Sequence, residues 1–167
     1  MNDQSAADII QTLQLEKHPL EGGYFRRTYQ SRHIYRNSDD AGQRFCASAI
    51  YYLLSMDDPI GYMHRNLSDI VHCYQLGDPT EFTLIKEDGA MQRVVLGPDL
   101  GSGHCLQLCV PGGVWKASRL LGQRYSLISE LVVPGFDYAD NQLAQMNEFR
   151  LRYAQIFPHI QDLIKPA

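Results

Sequence analysis

The sequence has no run of about eighteen apolar residues, so no helix is expected to cross a bilayer and no membrane partner is expected. Met1 to Leu15 carries Asp3 and Asp8 and lacks the basic-then-apolar order of a secretory signal. A cytoplasmic location is the corresponding expectation. Positive charge is in short supply, with 15 Lys and Arg against 19 Asp and Glu. The broad positive field that draws a protein to nucleic acid is therefore missing, and no nucleic-acid partner is expected. Cysteine is sparse. Cys46, Cys73, Cys105 and Cys109 form no CxxC pair, and without a signal peptide they read as reduced thiols. Internal repeats, low-complexity tracts and linkers are also absent. With 167 residues, the whole chain, 1–167, is expected to form a single domain around one core.

What is present is strand signal. Ala6 to Leu15 places Ile9, Ile10, Leu13 and Leu15 at helical spacing, with Asp3 or Ser5 as cap, and His18-Pro19 ends that short helix. The period then changes. Tyr24 to Ser31, Phe45 to Ser55, Ile70 to Gln75, Thr80 to Lys86, Met91 to Leu96, Cys105 to Val110, Val114 to Ser118 and Tyr125 to Val133 read as strands. Asp88-Gly89 marks a hairpin, and Pro-Gly clusters punctuate the rest. Short strands with such regular turn signals mean a sandwich or a barrel. From Asp140 to Ile164 the apolar residues return to steps of three and four, and Pro158 divides this tail into two expected helices. Cys105 and Cys109 are expected to share one strand face as small buried hydrophobes.

Four segments could carry chemistry. After Gly22-Gly23, alternation puts Tyr24, Arg26 and Thr28 on one face and Phe25, Arg27 and Tyr29 on the other. One arginine is then expected inward, as a clamp for a carboxylate or phosphate, or in an ion pair with an acid such as Glu21. In Tyr62 to His72, His64 and Asn66 alternate onto one face, and His72 in the next strand could share that interior. In Gln107 to Lys116, Trp115 and Lys116 point to opposite faces. An inward Lys116 requires a partner, whereas an outward one is a solvated charge. In Val133 to Tyr138, Asp137 or Asp140 reads as a helix cap.

The ordered set EGGYFRRTY, AIYYLL, MHRNLSDIVH, LGDPTEFTLIKEDG, LGPDLGSG, QLCVPGGVWKA, YSLISELVVPGFDYAD and YAQIFPHIQDLI resembles an uncharacterised cupin family with sugar-epimerase-like barrels. The resemblance runs from about Leu15 to Ile164. It implies an all-β cupin double-stranded β-helix, a jelly-roll barrel, with a short N-terminal helix and two C-terminal helices. It also implies a homodimer and a central pocket. Against the general cupin pattern, His64 stands at the first metal-ligand histidine, Asn66 replaces the second, Ile70 falls near the glutamate, and Lys116 replaces the last histidine. A divalent metal normally takes three or more protein ligands, and an ammonium repels it, so the metal-dependent branches are disfavoured and no cofactor is expected.

Metal-free cupins similar to sugar-nucleotide epimerases use a histidine base and a tyrosine acid. This chain offers His64 as base and Tyr52, Tyr62 or Tyr74 as acid, with Tyr74 taken as the partner, and Arg26 or Lys116 as the positive group. The candidate ligand-binding residues are Tyr24, Arg26, Asn66, Ser68, His72, Gln107 and Lys116. The expected function is a metal-independent isomerase or epimerase acting on a carbohydrate-like or anionic small molecule. The alternatives are a ligand-binding cupin without turnover and a metal-dependent cupin using His64 and His72.

Overall fold

A computed structural model describes residues 4–36 and 43–166. The helix α1, Ala6–Leu13, opens with a capping box: Asp8 N donates to Ser5 Oγ at 3.2 Å and Ser5 N donates to Asp8 Oδ2 at 2.9 Å. Of the two expected caps, Ser5 fills the position and Asp3 lies outside the described residues.

Among the described residues thirteen strands follow. They are β1 Glu16–Lys17, β2 Tyr24–Gln30, β3 Ile34–Arg36, β4 Gln43–Phe45, β5 Ser48–Ser55 and β6 Ile60–Asn66. Then come β7 Asp69–Gly77, β8 Thr80–Ile85, β9 Met91–Leu96, β10 Gln107–Val110, β11 Trp115–Leu120, β12 Tyr125–Val133 and β13 Asn141–Leu143. They form a six-stranded sheet in the order β1-β2-β5-β12-β7-β10, a five-stranded sheet in the order β13-β6-β11-β8-β9, and the small β3–β4 ribbon. The two large sheets face each other as a jelly roll, the architecture expected of the sequence. The Asp88-Gly89 signal makes the β8–β9 hairpin, with Gly89 in the left-handed region at φ +85.

Alternation decides which side chains meet inside. From the six-stranded sheet, Tyr52, Leu54, Val110 and Ile128 turn inward. Phe82, Leu84, Leu96 and Leu120 turn inward from the five-stranded sheet and complete one solid cluster. The opposite faces are covered too. Trp115, Ala117, Met63 and Ile85 pack under the C-terminal tail, and Leu53, Leu127 and Tyr125 pack under α1. Strands buried on both faces lose the polar-apolar alternation of a one-sided sheet.

The tail differs in detail from the sequence expectation. Only α2, Met146–Arg152, is an α-helix; Phe157–His159 and Gln161–Leu163 are single 3-10 turns. Pro158 cannot donate into a helix interior, while Phe157, Ile160, Leu163 and Ile164 all bury against the sheet. Asn141–Leu143, expected as helix, is an edge strand paired with β6. Cys109 is exposed and Cys105 half-buried, so the paired-hydrophobe expectation is corrected: β10 lies at the end of its sheet order, and the face carrying Cys109 has no layer on it. No helix among the described residues is long and apolar enough to cross a membrane.

Candidate functional site

The other end of the barrel interior is hollow. A cavity open to solvent at one end is lined by the inward side chains of β2, β5, β6, β7, β11 and β12. Phe25, Ile50, Ile70 and Val132 make its walls. His18, Glu21, His64, Asn66, Lys116 and Glu130 make its polar lining, and Arg27, Phe136 and Tyr138 complete it. Arg27 and Tyr138 are exposed and mark the mouth.

Two glycines set the position of Glu21. Gly22 and Gly23 adopt φ +87 and +73. A Cβ on Gly22 would stand 2.4 Å from Ile60 O, and one on Gly23 would stand 2.9 Å from Leu53 O. Only glycine lets the chain pass that close to both sheets. Tyr62 N donates to Glu21 O at 2.6 Å, and Asn141 Nδ2 donates to Glu21 Oε1 at 2.6 Å. Glu21 Oε2 then lies 3.4 Å from His64 Nε2 and 3.8 Å from His18 Nε2.

His64 and Lys116 are Cα partners across β6 and β11. His64 Nδ1 lies 2.7 Å from Tyr62 O, which can only accept, so the proton sits on Nδ1. Nε2 thus presents a lone pair, and Lys116 Nζ donates to it at 2.7 Å. Both residues are buried, at 8% and 4% exposure. Burial, with the Lys116 charge adding to it, brings the His64 pKa down to about 4 against the pull of Glu21, so the imidazole is neutral at neutral pH. Burial also lowers the Lys116 pKa, opposed by Glu21 and Glu130. Glu130 sits within reach of His72, whose Nδ1 is 3.1 Å from Oε1. Burial would raise the Glu130 pKa, but His72, Lys116 and His64 outweigh it and hold the carboxyl down at about 2. Glu21 is lowered as well, with His64, His18 and Lys116 overcoming its burial. The floor therefore groups a buried ammonium, two carboxylates that act on its charge, and a neutral imidazole.

The structure brings together three of the residues singled out from the sequence: His64, Asn66 and Lys116. Lys116 takes the inward, partnered alternative. Asn66 Oδ1 accepts from Ser68 N at 2.9 Å, while its Nδ2 is buried with no partner among the described residues. Ser68 is buried behind Asn66 and does not line the cavity. His72, fully buried against Phe82, backs Glu130 rather than facing the cavity.

The other candidates lie elsewhere. Arg27, not Arg26, is the arginine at the cavity, because Phe25 and Arg27 share the inward face. Tyr24 packs beneath α1, and Arg26 Nη1 is 3.5 Å from Gln14 Oε1 on that same outer side. Tyr74 packs against the solid cluster and donates its hydroxyl to Gly77 O at 2.6 Å. Gln107 is exposed on β10 beside Cys73. Tyr52 is buried with its hydroxyl donating to Gly22 O at 2.9 Å, and Tyr62 contributes its carbonyl to His64. Asp137 does act as a cap, for the 3-10 turn Tyr138–Asp140, and Asp140 is held by Arg44 at 2.7 and 2.8 Å. Sequence reasoning passed over Glu130 and His18. Glu130 had a signal, as the one carboxylate in phase with Ile128 and Val132 on an apolar strand.

A divalent metal, which the general cupin pattern brings with it, does not fit these residues. No group of three or more His, Cys, Asp or Glu among the described residues can hold an ion. Lys116 Nζ occupies the Nε2 lone pair that His64 would give to one.

A two-sheet jelly roll, solid at one end and polar-floored at the other, has the architecture of the cupins. The chain belongs to that superfamily: residues 7–144 match the family described as "Cupin superfamily (DUF985)". It is 38% identical over 150 residues to the uncharacterized protein YML079W of Saccharomyces cerevisiae, covering 82% of this chain and 74% of that one. A hypothetical protein from Leishmania major superposes with a TM-score of 0.90 at 30% identity, over 98% of this chain and 100% of that one. Protein SO0799 from Shewanella oneidensis gives 0.89 at 30% identity, over 98% and 99%. Oxalate decarboxylase from Bacillus subtilis (TM-score 0.55, 12% identity, 96% of this chain and 38% of that one) shares the fold alone. So does a dTDP sugar isomerase from Desulfovibrio desulfuricans (0.51, 16% identity, 78% and 87%).

Proposed function

We propose that the chain is an enzyme of the isomerase or epimerase type that moves a proton on a small carbohydrate-like or anionic carbonyl compound without a metal. The observation that carries this reading is the buried Lys116 ammonium, fixed by His64 at 2.7 Å in a cavity it shares with the ionised Glu130. A carbonyl oxygen placed on Lys116 would be polarised by a charge that needs no reorganisation. Glu130 takes the proton from the adjacent carbon. The C–H electron pair becomes the enol double bond, and Lys116 gives its proton to the oxygen. Return of the proton to the other face or to the neighbouring carbon completes epimerisation or isomerisation. His64, neutral and pinned through Tyr62 O, orients the ammonium rather than acting as the base. A carboxylate base beside a neutral imidazole is an arrangement that proton-abstracting enzymes use.

The test is deuterium exchange. Small aldehydes and ketones incubated with the protein in heavy water lose their α-proton NMR signals. Glu130→Gln slows that loss by about 10²–10⁴-fold, the usual share of a positioned base. No exchange in any compound that nevertheless raises the melting temperature would favour the second reading, a ligand-binding cupin without turnover. One observation supports that second reading: Glu130, held at about 2, is a weak base in the empty cavity.

A homodimer remains part of the proposal. Tyr29, Ala49, Leu131, Val71 and Cys109 form a cross-strand row on the outer sheet face, with Tyr29 at 53% and Leu131 at 40% exposure. An uncharged row of this kind can pair with itself across a two-fold axis. Light scattering at micromolar concentration is expected to read twice the 19.0 kDa of one chain, and a monomer mass would remove the dimer.

A further inference from the structure

The cavity has three zones, and each asks for a different part of a ligand. The floor offers donors beside the two carboxylates of Glu21 and Glu130. Lys116 spends one of its three N–H groups on His64, and Asn66 Nδ2 is buried without a partner among the described residues. A buried donor left without an acceptor is costly, so a ligand oxygen at this place is favoured. The waist is apolar. Phe25, Ile50, Ile70 and Val132 offer no side-chain polar atom, and hydroxyls facing them would be stripped of water with nothing in return. The mouth is cationic. Arg27 forms no ion pair among the described residues, its Nη1 donating to Gln30 Oε1 at 2.7 Å. The nearby Arg44 is already committed to Asp140 at 2.7 Å and faces Asp137 at 3.8 Å. Phe136 and Tyr138, edge to face at 5.0 Å, stand with Arg27 on the lining of both the cavity and a surface groove, so the two hollows adjoin there.

We infer that the ligand is a carbonyl compound with an apolar body and an anionic group at its far end, the carbonyl oxygen on Lys116 and Asn66 and the anion on Arg27. The inference rests on the proton-transfer reading for the role of the carbonyl. It chooses between the two ligand kinds left open there, setting a polyhydroxylated body aside. Arg27 becomes the residue that selects for charge, and the four apolar wall residues select against hydroxyl groups.

Three probes separate the zones: 4-acetylbenzoate carries the ketone, ring and carboxylate; acetophenone lacks the anion; ribose 5-phosphate keeps the anion and, in its open-chain form, the carbonyl on a polyol body. Calorimetric titration is expected to show 4-acetylbenzoate binding at least about tenfold tighter than either comparator. Arg27→Leu is expected to remove its advantage over acetophenone and leave acetophenone unchanged. Arg27 is exposed, so this variant retains the fold, and a melting curve checks it. Ribose 5-phosphate binding as tightly as 4-acetylbenzoate would overturn the ligand class. So would an unchanged 4-acetylbenzoate affinity in Arg27→Leu, or no binding of 4-acetylbenzoate. Deuterium exchange into the acetyl methyl group reads the chemistry separately. Arg27-dependent binding without exchange leaves the ligand class standing and removes the enzyme. Exchange confined to ribose 5-phosphate keeps the enzyme and overturns the ligand class.

Discussion

The two ends of the barrel interior are built from the same strands and differ in what those strands turn inward. β12 gives Ile128 to the solid end and Glu130 to the hollow one. β11 gives Leu120 to the first and Lys116 to the second. At the solid end, aliphatic and aromatic side chains from both sheets fill the space and need no partners. On the floor of the hollow end, each charged side chain has drawn a partner inward: Lys116 on His64, Glu21 on Asn141, Glu130 on His72. Moving two residues along β12, or four along β11, thus exchanges non-directional packing for directional, mutually dependent electrostatics. A methyl group lost from the first leaves a small void. A charge lost from the second leaves its partners buried and uncompensated.

That contrast predicts a ranking. Lys116→Met is expected to destabilise the protein by about 3–5 kcal/mol, because Glu21 and Glu130 then keep buried charge without the ammonium. The triple variant Lys116→Met, Glu21→Gln, Glu130→Gln is expected to recover most of that loss in urea unfolding. A triple variant no more stable than the single one would show that packing, not charge, dominates the hollow end. Acid comes next. His64 has a folded pKa of about 4 against 6.5 unfolded, so between those values the unfolded chain binds the proton and the native state does not. Stability is therefore expected to fall as pH drops from 6.5 to 4, by roughly 3 kcal/mol for this group. His64→Gln should flatten that window. Glu130 adds a second loss from 4.5 down to about 2. The smallest effect belongs to the solid end, where Ile128→Val is expected to cost about 0.5–1.5 kcal/mol with no change in the pH profile.

The same contrast explains what could be read from the sequence. The solid end was legible because strand composition and turn signals are local: Met91–Leu96 and Tyr125–Val133 emerge with the limits expected of them. The hollow end was legible only where one strand sufficed. His64 and Asn66 share a face by simple alternation. Lys116 could not be placed from its own neighbours, since its inward position depends on Glu21 from the turn before β2 and on Glu130 from β12. The choice between Arg26 and Arg27 needed the barrel axis, which alternation alone does not orient. Asn141 lies in a stretch whose apolar spacing reads as helix; what holds it extended is pairing with β6 and a carboxylate from the other end of the chain. Contacts of such long sequence separation leave no periodic trace.

The clasp between Asn141 and Glu21 ties an early residue to a late one. While the chain is being synthesised, the hairpin from Thr80 to Leu96 can pair within itself, whereas the strand carrying His64 waits for β11 and β13. The carboxylate facing His64 cannot be fastened until β13 has emerged. Non-local pairings of this kind close slowly, so the polar floor and the sheet edge that carries it are completed together, after the local hairpins.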